Sequence, residues 1–482
     1  MQTFDVAVVG GGLIGRMIAY ELARENYRVA AIYPHAQFHG MASAAAGAML
    51  GVFSETSAYE PQARREATAA YRWQARQLYD AWLSELRARS GLPIHVSDGL
   101  VVIANAAGAQ DLKALQAIRD AAHTLQRPAQ TFGASDIAGL APHPNHRILD
   151  AVYLPDEGSV DTLQILAALE SCLRQMPNCV CANDAAQEIV LEANSVKVQL
   201  RSGDALHAAQ VVLANGVEIP RLLQASRLTE LGVPPIFSGR GVSVLARGNF
   251  NLPYTIRTPN RGFACGLHLV PRANGAMYIG ATNRFSTTPD TARHPTADEL
   301  TNVLSGATHQ INTALADAEI TALQIGHRPV TLDRIPVVGR TGDARILLAT
   351  GTYRNGVLLA PLLAQLIAQE IAQSGVHQNH AFNPLRDVRA SAGETQAQWL
   401  RRASESLVES LVEPGGFLPD HRAQDLSKFF HVVLSALLDE DADRALLHQK
   451  IQRLLQRAPV EENMPLLFDV IARESDKLAR EG

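Results

Sequence analysis

A chain of 482 residues is too long for one compact core, so two or three domains are expected. With 43 Lys and Arg against 48 Asp and Glu, the net charge of -5 gives no electrostatic case for nucleic acid or an anionic membrane as partner. Four cysteines (Cys172, Cys179, Cys181 and Cys265) make no disulfide framework or zinc spacing, and no stretch approaches the roughly 18 uninterrupted apolar residues of a membrane span. The apolar run near the start has no basic region before it, so a cytoplasmic protein with reduced thiols and no metal is expected.

The run Val6 to Val9 reads as a strand, followed by Gly10, Gly12 and Gly15 in G-x-G-x-x-G spacing and an amphipathic stretch carrying Ile14, Ile18 and Leu22. The first glycine lets the chain turn, the second lets backbone approach a pyrophosphate, and the third lets helix pack close to sheet. Strand before and helix after supply the context the motif needs, so a bound dinucleotide is expected, FAD or NAD left open. Arg28 to Tyr33 gives the next strand, yet it ends Ile32-Tyr33-Pro34, without the carboxylate that usually accepts the adenosine ribose hydroxyls. His35, Gln37 or backbone contacts are the candidates to compensate.

Gly40 to Gly51 is a run of small residues, suited to backbone lying close to a flat ring or to a tightly packed helix. A long helix is expected over Pro61 to Arg89, strands at Ile94 to Val96 and Gly99 to Ala104, and helices at Asp111 to Leu125 and Leu163 to Arg174. A meander through Glu188 to Leu200 leads to a buried strand, Ala209 to Ala214, with Gly216 at the turn beyond it as a second cofactor wall. Antiparallel strands follow at Val242 to Ala246, Gly266 to Val270 and Ala276 to Gly280, the last two joined by Asn274-Gly275, a hairpin signal. After a helix near Ala297 to Ala316 come Gly326-His327-Arg328-Pro329, strands at Ile335 to Val338 and Arg345 to Thr350, and Gly351-Thr352-Tyr353-Arg354-Asn355-Gly356 opening a helix to Gln373. Beyond Arg389, Trp399, Leu400, Leu407, Leu411, Phe429 to Leu438 and Leu446 to Leu455 repeat at helical spacing, giving a helical extension over 389–482.

Taken together, DVAVVGGGLIG (5–15), ASAAAGAML (42–50), LVPRANGAMYIGAT (269–282), GHRPVTLDRIPVVG (326–339) and GTYRNGVLLAP (351–361) resemble the D-amino acid oxidase superfamily of FAD-dependent amine oxidases, glycine oxidases most of all. The resemblance covers about residues 1–388 and implies an α/β fold. It implies a Rossmann-like FAD domain from 1–88, 152–222 and 322–388, with a substrate domain on a mainly antiparallel sheet from 89–151 and 223–321. It implies FAD held by Gly10, Gly12, Leu13, Ile14, Gly15, Ser43, Ala45, Ala46, Gly47, Met49, Gly216, Arg328, Gly351, Arg354, Asn355, Gly356, Val357 and Leu358. The implied chemistry is hydride transfer from the α-carbon of a glycine, sarcosine or D-amino acid type of substrate to flavin N5, with oxygen reduced to hydrogen peroxide.

In that pattern Arg354 grips the substrate carboxylate and Arg328 stands at the mouth of the site. His268 replaces a tyrosine that contacts substrate, so it is expected either to accept a proton from the substrate ammonium or to bond a polar group, or else to be structural. Three alternatives stay open: a dehydrogenase passing electrons to a quinone or carrier, a specialised biosynthetic amine oxidase, and a non-catalytic flavoprotein subunit. The extension reads as helices covering the core, or as an interface for a homo-oligomer or partner protein.

Overall fold

In a computed structural model the described residues run from 3 to 386, apart from 36–38, 59, 107, 109, 249–251, 262–264, 274, 287–288, 332 and 374–379, with scattered tail positions between 397 and 431. The strand Thr3–Val9 sits centrally in an eight-stranded sheet, parallel to Val29–Ile32 on one side and to Ala205–Leu213 on the other. Ile346–Thr350 and Cys179–Ala182 extend the parallel core outward. Strands covered on both faces read as unbroken apolar runs, as Val6 to Val9 does.

The helix Leu13–Arg24 follows at once and buries Met17, Ile18 and Leu22. Beside it lies Gly356–Ala372, buried continuously from Val357 to Ala364, as a helix between layers must be. Pro361 within that helix has no N–H, which would orphan the carbonyl of Val357; the hydroxyl of buried Tyr79, on the helix Gln62–Ser90, donates to it instead.

The second sheet has ten strands and is mainly antiparallel, with Ile236–Arg247 paired along Glu319–Thr331 and Val96–Asn105 along Ile148–Val160. Gly40–Met41 and Glu319–Thr331 both belong to it, so the two sheets do not part at the residue divisions expected from sequence. The two strands expected around residue 99 are one: Gly99, at φ 81, sits at a register shift that bends the strand without ending it. His268–Pro271 and Met277–Gly280 form the expected hairpin, with Gly275 at φ 74; Asn274 lies outside the described residues. The helix near 297 stops at Gln310 rather than Ala316, where Asn312 accepts from the N–H of Ala314 at 2.8 Å and starts a 3-10 turn.

In the tail, residues 397, 400–405, 408, 423–428 and 430–431 are helical, and Leu400, Ala403, Val408 and Ala423 are buried. Trp399, Leu407, Leu411, Phe429 and residues 432–482 lie outside the described residues. Among the described residues no helix is long and apolar enough to cross a membrane.

Candidate active site

A cavity of about 860 Å³ opens where the parallel strands end, lined by Val9, Ile32, Ala214 and Thr350, and reaches across to the face of the antiparallel sheet. Strand ends at such a crevice are where open α/β sheets take their ligands. Gly10 has φ 133, and a Cβ there would lie 2.5 Å from the carbonyl of Ala214. Gly12 precedes the helix Leu13–Arg24, whose first N–H, on Leu13, donates to Ser43 Oγ at 2.9 Å. Gly10, Gly12, Leu13 and Ile14 all line the cavity; Gly15 does not, because its place is against the Gly10 carbonyl, with which a Cβ would collide.

Ser43, Ala45, Ala46, Gly47 and Met49 form the small-residue wall, and Gly216, Asn355, Gly356, Val357 and Leu358 stand in the lining too. Gly351, at φ 70, turns the chain out of its strand behind that wall and does not reach the cavity. The shape suits a dinucleotide, with a helix N-terminus for phosphates at one end and missing side chains where a flat ring would lie. Among the described residues no group of His, Cys, Asp or Glu could hold a metal ion.

At the nucleotide end Tyr33 occupies the place of the missing acid. Its ring is 2% exposed and so close under the glycine turn that a Cβ on Gly11 would lie 2.7 Å from it. Arg16 stacks over the ring, 4.6 Å from its centroid, and the hydroxyl donates to Glu170 at 2.5 Å. A carboxylate is therefore present, but it comes from the helix Thr162–Gln175 and lies behind a tyrosine. His35 donates its backbone N–H to Asn183 and does not line this cavity; Gln37 lies outside the described residues.

At the other end Arg354, Arg328 and His268 all line the cavity. Arg354 is already engaged: Nε is 3.6 Å from Glu55 and Nη1 donates to Asn260 at 2.9 Å. Burial disfavours ionising Glu55, but the guanidinium groups of Arg257, Arg354 and Arg72 outweigh it and hold the carboxyl at about 2. Arg328 donates to two uncharged oxygens, Thr282 O at 3.1 Å and Asn283 Oδ1 at 3.2 Å, and lies over Gly241, where any Cβ would run into it. The described bonds of Arg328 thus go to uncharged oxygens, whereas Arg354 faces the carboxylate of Glu55.

His268 Nδ1 sits 3.0 Å from the carbonyl of Gly266, which only accepts, so Nδ1 carries the proton and Nε2 is an acceptor. The ring stacks on Tyr278 at 5.5 Å, and a Cβ on Gly47 would lie 2.8 Å from Nε2. Burial, then the charge of Arg257, lowers the imidazole to about 3, which favours its neutral form at neutral pH. That leaves Nε2 as a hydrogen-bond acceptor.

Glu55, Arg257, Asn260 and Tyr278 were not anticipated. Glu55 meets Arg257 from 202 positions away, so no local pattern marks the pair. The one sequence signal was that Glu55 is the first acidic residue after the small-residue run.

The family model for FAD dependent oxidoreductases (DAO) matches residues 5–370. The chain is 31% identical to the glycine oxidase of Geobacillus kaustophilus over 363 residues, 74% of this chain and 90% of the relative. It is 27% identical to the glycine oxidase of Bacillus subtilis over 385 residues, 79% of this chain and 96% of the relative. Against the crystal structure of the Geobacillus kaustophilus glycine oxidase the TM-score is 0.67 at 28% identity, covering 80% of this chain and 100% of that one.

Proposed function

This chain belongs to the FAD dependent oxidoreductase (DAO) family and is an amine or amino acid oxidoreductase that uses FAD, and we propose that it deaminates a small amino acid or secondary amine acid, with oxygen as the electron acceptor. Gly10, Gly12, Leu13 and Ile14 would hold the FAD phosphates, Gly216 the nucleotide side, and Ser43, Ala45, Ala46, Gly47, Met49 and Asn355 to Leu358 the ring. The chemistry FAD would supply there is acceptance of a hydride from the substrate α-carbon and return of two electrons to oxygen, with hydrogen peroxide and an imine that water hydrolyses as the products.

The residues of the chain orient the substrate. Arg328 binds its carboxylate, and His268 Nε2 accepts a hydrogen bond from its amine. As a neutral acceptor His268 selects the geometry of the amine and leaves its proton to solvent. Arg354, held by Glu55 and Asn260, completes the wall. The observation that carries this reading is Arg328, a guanidinium on the cavity wall whose described bonds go to uncharged oxygens.

The test is Arg328→Gln, purified with FAD. Loss of a charged carboxylate partner, about 2–5 kcal/mol, raises KM for the amine about 30-fold or more while the flavin spectrum stays intact. An unchanged KM removes Arg328 from the reading, and electrons reaching a quinone but never oxygen replace the oxidase with a dehydrogenase.

A further inference from the structure

Three guanidinium groups converge on one carboxylate at the substrate end. Arg257, 0% exposed, and Arg354 both pair with Glu55, and Arg72, 6% exposed, adds its charge to the same field. The Nε of Arg72 has no hydrogen-bond partner among the described residues. Glu60 also faces Arg354, but it is itself opposed by Arg64 at 3.9 Å. Of the described residues lining the cavity, the acidic ones are Glu55 and Glu218, and Glu218 is paired with Arg221 at 3.0 Å on the nucleotide side. Counting beside Glu55 the buried Glu157, whose carboxyl is pushed up by burial, three guanidiniums still face two carboxyl groups around this end, before Arg328 is added. A buried excess of charge is costly unless a ligand answers it.

A substrate with one carboxylate answers Arg328 and leaves the excess around Glu55 in place. We infer that the substrate carries a second carboxylate, as a short dicarboxylic amino or imino acid, and that Arg354 receives it. This rests on the proposed amine oxidation. Arg354 and Arg328 are linked through Tyr353: Arg354 Cζ lies over its ring, 4.8 Å from the centroid, while Asn283 donates to its hydroxyl and accepts from Arg328. Both guanidiniums line the one cavity. Arg354 lines the cavity and Arg257 does not, so an incoming carboxylate meets Arg354.

The full FAD-loaded chain is titrated with non-reacting probes, acetate and propionate against malonate and succinate, with inorganic sulfate as a compact dianion, following the flavin difference spectrum. Malonate or succinate binds about tenfold or more tightly than the monocarboxylates and than sulfate, and in Arg354→Gln that ratio falls to about one. Arg354→Lys, which keeps the charge but not the fork, retains part of it. Equal binding of mono- and dicarboxylates, sulfate binding as well as malonate, or a ratio that survives in Arg354→Gln overturns the inference. A parallel peroxide assay with glycine, sarcosine, iminodiacetate and D-aspartate separates the two levels: glycine and sarcosine preferred over the diacids sinks the second carboxylate and leaves the oxidase. A probe ratio as expected with no amine oxidised sinks the oxidase and leaves the diacid site.

Discussion

Glu55 decides the charge state of the substrate end, because its carboxyl is held at about 2 by the guanidiniums around it. A carboxyl whose folded pKa is lowered gives stability that is fully present above its ordinary value of 4.5 and is lost as pH falls towards 2. Glu55→Gln is therefore expected to cost about 3 kcal/mol at neutral pH in urea unfolding, with the gap to the parent protein closing as the pH drops through that window. His268 works in the same direction by another route. Folded, it resists a proton that the unfolded chain takes up below about 6.5, so it makes stability fall as pH drops from 6.5 towards about 3. Its neutrality across the working range means that His268→Gln lowers kcat/KM without moving the limbs of its pH profile between about pH 5 and 8; a shifted acid limb would restore a proton-accepting role. The glycine turn was readable in the sequence because its demands are local: a strand, three spacings and a helix. The partners of Arg354 and Arg328 were not, since Glu55 and Asn283 reach them only through the tertiary fold.

Helix packing around the turn carries the next set of consequences. A methyl on Gly15 meets backbone, the Gly10 carbonyl, which cannot move without opening the phosphate end of the cavity. Gly15→Ala is expected to purify with little or no flavin colour, and a fully yellow variant would show that the helix can shift at small cost. Tyr79→Phe leaves the Val357 carbonyl without its donor in a helix that Pro361 has already interrupted, at about 1–3 kcal/mol in urea unfolding. Long periodic elements such as Gln62–Ser90 were legible from apolar spacing alone. The strand Cys179–Ala182 was not, being four residues at a sheet edge with little periodicity to read, and Gly99 looked like a boundary although it marks a bulge.

Across the whole molecule the cavity joins both sheets, and the described tail residues contribute nothing to its lining. A chain ending near residue 388 should accordingly keep its flavin, read as the ratio of flavin to protein absorbance; loss of colour would give the tail a part in holding FAD. The two-sheet plan was foreseeable because alternation of strands and helices at the start gives way to an antiparallel run, whereas membership of Glu319–Thr331 in the second sheet depends on pairing with a strand far earlier in the chain. The proposed reaction brings a small amino or imino acid to FAD and lets oxygen take the electrons. Anaerobic mixing of the yellow protein with a panel of mono- and dicarboxylic amines tests it most directly. At least one of them is expected to bleach the flavin, and admitting air to restore the colour with hydrogen peroxide formed in step; a flavin that stays oxidised across the panel, or that recovers only with a quinone, rules out that reaction.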